Sequence, residues 1–158
     1  MEHDAARRYS IISEMFIGRA VSIANDIFTF SEDALRFVVD DNAFIPNDRK
    51  NSFLKGLAAG FNYDFQTAMS VLMPQVENAV RELAVACGAV VFKTNERGIE
   101  ECLSMESVLA QPEVVECLDD TFLFNLRLFY VSEYGFGMRN LVSHGLLSDA
   151  ELINSATK

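Results

Sequence analysis

Apolar residues recur at helical spacing along most of this chain. In the first segment, from residue 5 to residue 28, steps of three and four alternate, which predicts one long amphipathic helix. Its apolar positions are Tyr9, Ile12, Met15, Phe16, Ala20, Ile23 and Ile27. The same spacing predicts further helices at about 32–40, 49–59, 64–87, 105–110, 112–118 and 119–135. Strand character is confined to one stretch. We therefore predict an all-α bundle with a short hairpin or extended arm near residues 89–99.

Glycine and proline indicate where these helices end or bend. Gly60 and Gly88 are predicted to close the helices at 49–59 and 64–87 as C-caps. Pro74 lies inside the second of these and lacks a backbone N–H. A kink or a break is therefore expected near Ser70. Gly135 is predicted to end the helix that begins at residue 119.

Length and composition predict a single helical domain over residues 1–158, with a C-terminal fragment of a longer protein as the alternative. No apolar run is long enough to span a membrane, and the N-terminus lacks the apolar core of a secretory signal. The cysteines Cys87, Cys102 and Cys117 are odd in number and show no C-x-x-C spacing. Neither a disulfide framework nor a zinc site is expected, and the cytoplasm is the expected compartment.

The net charge of −10 argues against a general nucleic-acid binder. Such proteins usually carry a basic surface, because neutralising phosphates releases counterions. The acidic residues are concentrated between Arg97 and Arg127, where no basic residue occurs: Glu100, Glu101, Glu106, Glu113, Glu116, Asp119 and Asp120. A solvated acidic surface is the plain interpretation, and a face that binds a basic partner is the alternative.

One short stretch carries most of the functional information. Residues 135–145 read GFGMRNLVSHG and bring together Arg139, Asn140 and one of the two histidines, His144. On a helix, Asn140 and His144 share a face, whereas Arg139 lies about 140° around the axis from His144. In a single copy of the chain, Arg139 and His144 therefore form only a loose pair. Two copies related by a two-fold axis could form a compact cluster of two arginines and two histidines.

Such a cluster suits RNA cleavage without a metal. Histidine can move the proton of the 2′-hydroxyl, and arginine matches phosphate oxygens with its planar fork. The plain alternative is structural: His144 precedes a glycine, where an imidazolium interacts favourably with the helix dipole by about 0.3–1 kcal/mol.

The segment RNLVSHG resembles the R-N-x-x-x-H-G signature of a family of uncharacterised domains grouped with the HEPN superfamily (higher eukaryotes and prokaryotes nucleotide-binding domains). The resemblance extends upstream over residues 42–83, which include a P-x-x-E-x-x-x-R pattern. It implies a helical bundle that dimerises and acts as a metal-independent ribonuclease. Arg139 and His144 would be catalytic, and Asn140 would support them. Family toxins with a tyrosine two residues after the histidine are silenced by its modification; here that position is Leu146, so this regulation does not apply.

Glu77 and Arg81, from the upstream pattern, are four residues apart on the predicted helix 64–87. Their plain interpretation is an ion pair that stabilises the helix by about 0.2–0.5 kcal/mol. Their functional interpretation is a supporting role, holding Arg139 or His144 in place. The apolar side chains of the helix at 119–135 are predicted to form core or dimer interface: Phe122, Phe124, Leu126, Leu128, Phe129 and Tyr130.

Together these observations predict an endoribonuclease that cleaves single-stranded RNA in a bacterial toxin or abortive-infection system. The expected partners are a second copy of the chain, an RNA substrate, and an antitoxin or other regulatory protein. No cofactor, metal or membrane is expected to take part. The alternative is a non-catalytic helical interaction or nucleotide-binding module, because the superfamily includes inactive domains.

Overall fold

The computed structural model describes residues 2–132, and within them the predicted helical class is confirmed. The helices are α1 (Glu2–Ile12), α2 (Gly18–Ile27), α3 (Arg36–Val39), α4 (Lys50–Phe61), α5 (Phe65–Ala86), α6 (Met105–Leu109), α7 (Pro112–Cys117) and α8 (Asp120–Tyr130). A π-helical turn, Ser13–Ile17, joins α1 to α2, and short 3₁₀ turns precede α3 and α4. No helix in the described part of the chain is long and apolar enough to cross a membrane.

The predicted hairpin forms, slightly further along the chain than expected. Strands β1 (Phe92–Thr94) and β2 (Glu100–Cys102) pair in antiparallel register. In the turn, the Asn95 side chain accepts hydrogen bonds from the N–H groups of Arg97 and Ile99, and Gly98 has a φ of +76°. Both strands are exposed, so the hairpin projects from the bundle rather than forming a layer of it.

Helix α5 is the central element, because both apolar cores pack against it. The first core unites its C-terminal half with α6, α7 and α8, and the second unites its middle with α3 and α4. The first contains Val80, Ala84, Ala89, Val91, Met105, Val108, Leu109, Val114, Leu123 and Leu126. The second contains Leu35, Val39, Ile45, Phe53, Leu54 and Ala79. Leu126 and Leu128 of α8 are buried, as the core interpretation of that helix predicted, whereas Phe122 and Phe129 are 40% and 44% exposed and do not belong to the core.

Helices α4 and α5 approach each other closely at Gly56. A Cβ atom added at Gly56 of α4 would lie 2.6 Å from Cγ of Leu72 and 3.3 Å from a methyl group of Val71. Such distances are too short for carbon atoms in contact. The missing side chain of Gly56 therefore allows α5 to pack directly against the backbone of α4.

The N-terminal segment forms one continuous helix, comprising α1, the π turn and α2, which we call the long N-terminal helix. It was predicted as an amphipathic helix, and the helix is confirmed. None of its residues is buried, however. Met15, Phe16 and Ile27 are 62%, 64% and 68% exposed. Its apolar stripe therefore contributes little to either core of the described bundle.

Helices α4 and α5 end in the same hydrogen-bonding arrangement, built with different residues. After α5, Gly88 adopts a φ of +91°, its N–H donates to the Val85 carbonyl, and the Ala89 N–H donates to the Ala84 carbonyl. This is the Schellman motif, in which glycine normally takes the left-handed position. The prediction for Gly88 is confirmed.

After α4, the left-handed position belongs to Tyr63, with a φ of 64°. The Tyr63 N–H donates to the Gly60 carbonyl and the Asp64 N–H to the Ala59 carbonyl, completing the same motif. The prediction that Gly60 caps this helix is therefore wrong, because α4 continues to Phe61. A bulky residue in this conformation costs about 1–3 kcal/mol, so the turn stores strain.

Helix α5 continues through Pro74, so of the kink or break expected near Ser70 the break does not occur. One further prediction about helix ends is wrong. Helix α8 ends at Tyr130 rather than at Gly135, because two successive N–H groups, those of Val131 and Ser132, both donate to the Arg127 carbonyl.

Cys87 and Cys117 form a disulfide, with their Cα atoms 5.8 Å apart, while Cys102 is free. The bridge links the C-terminal ends of α5 and α7. The sequence argument against disulfides was wrong on this point, because spacing along the chain does not show which helix ends meet. Cysteine Cα atoms at such a separation can be bridged without moving the backbone.

Replacing Gly56 with alanine should destabilise the protein. The added methyl group would overlap Leu72, and overpacking of this kind costs about 1–3 kcal/mol. Gly60→Ala is the matched control on the same helix, because its added Cβ would lie 3.4 Å from that of Ala68, an ordinary contact. Urea unfolding should give a lower free energy of unfolding for Gly56→Ala only, and equal changes in both variants would contradict the α4–α5 geometry.

Removing the disulfide should lower the free energy of unfolding by about 2–4 kcal/mol, since the bridge closes a loop with a sequence separation of 30. Cys117→Ser should show this loss and Cys102→Ser should not. Thiol titration of the unfolded, unreduced protein should find Cys102 alone reactive. Reaction at all cysteines would disprove the bridge.

Candidate functional site

Arg139, Asn140 and His144 lie outside the described residues, so their arrangement stays a prediction. The described residues end just after α8, a few positions before the motif, and Tyr130 of α8 lies near Glu77 in the middle of α5. The supporting residues Glu77 and Arg81 both lie on this part of α5.

Glu77 and Arg81 form an ion pair, as the plain interpretation predicted. Nη2 of Arg81 donates to Oε1 of Glu77 at 2.8 Å, across one turn of α5. Its Nη1 donates to the Leu103 carbonyl at 2.9 Å, in the segment between β2 and α6. The two side chains are only 13% and 20% exposed. The pair is thus a charge-assisted connection between α5 and the start of α6 rather than a weak surface pair.

Tyr130, at the end of α8, belongs to the same region. Burial raises the pKa of its phenol above the ordinary value of 10.0, and the Glu77 carboxylate raises the pKa further. Both effects disfavour a second negative charge beside Glu77. The Tyr130 hydroxyl therefore keeps its proton at neutral pH and can serve as a hydrogen-bond donor.

The sequence identified Tyr130 only as core or interface. Its apolar ring agrees with that interpretation, since Tyr130 packs against the first core. Its polar neighbour could not be recognised from spacing, because Glu77 is distant in the chain. A tyrosine at the end of an apolar helix is the one available signal, since a buried phenol usually requires a polar partner.

Taken together, the described side chains offer a fixed cation, a fixed carboxylate and a neutral phenol. Such groups can orient other side chains or bind a polar ligand, but they include no nucleophile paired with a base. Among residues 2–132, no cluster of histidine, cysteine, aspartate and glutamate could hold a metal ion. Histidine is the side chain suited to proton transfer at neutral pH; of the two in the sequence, His3 lies in α1 and His144 belongs to the motif.

The acidic segment lies on the surface. Its carboxylates, from Glu100 to Asp120, are all exposed, and none forms an ion pair with another described residue. This agrees with a solvated acidic surface. Asp119 also caps α8, where its side chain accepts hydrogen bonds from the N–H groups of Thr121 and Phe122.

Comparison with known proteins gives no family assignment. No protein-family model, no curated protein and no solved structure matches this chain. The function must therefore be inferred from the motif and from the groups that surround its entry point.

The raised pKa of Tyr130 predicts how stability depends on pH. In the unfolded chain the phenol ionises near pH 10.0, whereas in the folded protein it stays protonated to higher pH. The free energy of unfolding should therefore fall as pH rises above 10, by up to about 1.4 kcal/mol per pH unit. Urea unfolding between pH 8 and pH 11 should show this fall, and Tyr130→Phe should reduce it. The exposed Tyr63 provides the control, since Tyr63→Phe should leave the fall unchanged; an unchanged slope in Tyr130→Phe would contradict the assignment.

Proposed function

We propose that this protein is a metal-independent endoribonuclease of the HEPN type, cleaving single-stranded RNA at the interface of a homodimer. The observation that carries the proposal is the R-N-x-x-x-H-G sequence formed by Arg139, Asn140, His144 and Gly145. It supplies a residue that titrates near neutrality and a permanent cation within six positions, and no metal-binding cluster is needed for the chemistry.

Each residue of the motif has a distinct role in this mechanism. His144 takes the proton from the 2′-hydroxyl, and Arg139 neutralises the charge that develops on the phosphate. Asn140 orients the imidazole. The 2′-oxygen then attacks the adjacent phosphorus, and the bond to the 5′-oxygen breaks as that oxygen takes a proton from the second imidazolium of the two-fold cluster, which yields a 2′,3′-cyclic phosphate and a 5′-hydroxyl. DNA lacks the attacking hydroxyl and is not a substrate.

The described bundle offers support for the motif at its entry point. Helix α8 ends at Tyr130, and the motif begins a few residues later. Glu77 and Arg81 are nearly enclosed in the same region, so both are held in one geometry. We assign them as positioning residues, whose charges orient the side chains of the motif and do not contact the RNA.

A two-fold dimer completes the proposal, because a single Arg139–His144 pair is loose on a helix. The biological role that we propose is bacterial defence or a toxin system, in the cytoplasm, with an antitoxin or other regulatory protein as partner.

The second candidate function is a non-catalytic interaction module. The net charge of −10 and the exposed carboxylates of residues 100–120 favour it, because such a surface repels RNA and attracts a basic partner. In that case the motif would only stabilise the bundle or bind a nucleotide.

A cleavage assay distinguishes the two functions. Labelled single-stranded RNA in EDTA should be cut by the wild-type protein, and the all-DNA equivalent should remain intact. His144→Ala and Arg139→Ala should each lower the rate about 10²–10⁴-fold. The products should end in a 2′,3′-cyclic phosphate, which mass spectrometry distinguishes from a linear one.

Arg49→Ala is the matched control, because this exposed arginine is paired with its neighbour Asp48 and should not affect cleavage. RNA that stays intact with the wild-type protein, or is cut equally by all variants, would refute the enzyme. Light scattering tests the dimer independently, and a strict monomer would remove the basis for the shared site.

A further inference from the structure

The long N-terminal helix spans a groove instead of packing against the bundle. It is fixed near its start, where Tyr9 Oη donates to Oδ1 of Asn125 at 2.6 Å. It is fixed near its end, where Nδ2 of Asn25 donates to the Phe61 carbonyl at 2.7 Å. Between these contacts lies a cavity of about 670 Å³, bounded by the helix on one side and by α4 and α5 on the other. This volume is within the range of about 300–1,000 Å³ typical of small-molecule sites.

The walls of the groove are mainly apolar. Val21 of α2 faces Leu57 and Phe61 of α4, with Phe65 and Leu72 of α5 completing the lining. These side chains are only half-buried, so the two cores leave them with exposed apolar surface. Covering that surface with an apolar ligand would remove it from water, which is favourable.

Two departures from regular backbone geometry border the same groove. The π turn Ser13–Ile17 forms part of its wall, and π turns within helices are rare and frequent at functional sites. Tyr63 is another lining residue. It holds the strained left-handed position after α4, the position that Gly88 holds after α5. Replacing a strained residue at a binding surface commonly gains stability and loses function. The position of Tyr63 is therefore better explained by binding than by folding.

The rim of the groove carries a cation that has no partner in the described part of the chain. Arg19 is exposed and has no ion pair or side-chain hydrogen bond among residues 2–132. Its guanidinium fork matches the geometry of a carboxylate. Glu14 lies on the same rim. A singly charged carboxylate is repelled by Glu14 less than a doubly charged phosphate monoester would be, so a carboxylate is the better match.

We propose that this groove binds a long-chain carboxylate, with its head at Arg19 and its hydrocarbon chain along Val21, Leu57 and Leu72. This site is independent of the ribonuclease proposal, because it involves none of the motif residues and lies between the long N-terminal helix, α4 and α5.

Isothermal titration of the full chain with decanoate, dodecanoate and tetradecanoate tests the proposal. Saturable binding with one ligand per chain is expected. Each additional pair of methylene groups should tighten binding about tenfold as the chain fills the apolar groove. Arg19→Gln should weaken dodecanoate binding about tenfold or more and leave dodecanol binding unchanged. Arg49→Gln is the matched control, since that exposed arginine does not line the groove.

Two further variants test the groove itself. Val21→Phe should block the hydrocarbon chain, and Tyr63→Gly should raise the midpoint of thermal unfolding while weakening dodecanoate binding. If Val21→Phe does not fold, which circular dichroism would show, Arg19→Gln still decides, because Arg19 is exposed.

Several results would overturn the proposal. One is the absence of saturable binding, and another is an equal loss in the Arg19→Gln and Arg49→Gln variants. Tighter binding of dodecylamine, abolished by Glu14→Gln, would show that the site takes a cation instead. Absent carboxylate binding together with self-association that Val21→Phe weakens would assign the groove to a second copy of the chain. RNA cleavage depends on other residues, so either proposal can fail without the other.

Discussion

Gly56 lets the backbone of α4 lie directly against the Leu72 side chain of α5, and the rest of the described bundle depends on this contact. Because this contact fixes the position of α5, residues on its other faces can pack into both apolar cores. Val76 packs against both of them and so connects the two halves of the bundle. A close-packed interior transmits small displacements, so a shift of α5 would disturb both cores at once.

The same helix pair explains why the long N-terminal helix has little to pack against. The apolar surface of α4 and α5 is largely used between them and in the second core. What remains is a row of half-buried side chains beneath the π turn, and the long helix crosses this row instead of covering it. Because Tyr63 occupies a position suited to glycine, the turn beside the groove is not optimised for stability alone.

Charge is distributed in two different ways over the described part of the chain. The carboxylates of residues 100–120 are exposed, so water solvates their charges. Glu77 is mostly enclosed and is balanced by Arg81, which also binds the Leu103 carbonyl. Breaking an enclosed pair leaves a charge that water cannot easily solvate, whereas exposed charges change at little cost. The Glu77–Arg81 pair is therefore more strongly constrained than the acidic surface.

Local features were predictable because their causes are local. Helical periodicity indicated where the helices lie, including α5 and the start of α8, and the left-handed Gly88 followed from its lack of a Cβ atom. The ion pair of Glu77 with Arg81 followed from a spacing of one helical turn.

What the tertiary structure decided depends on contacts between residues distant in sequence. Only the tertiary structure showed that α5 continues through Pro74, and only the meeting of two helix ends showed that Cys87 joins Cys117. The effect of the Glu77 carboxylate on the pKa of Tyr130 has the same origin. Periodicity indicates which face of a helix is apolar, but burial requires a partner surface. For that reason the long N-terminal helix could be predicted while the groove beneath it could not.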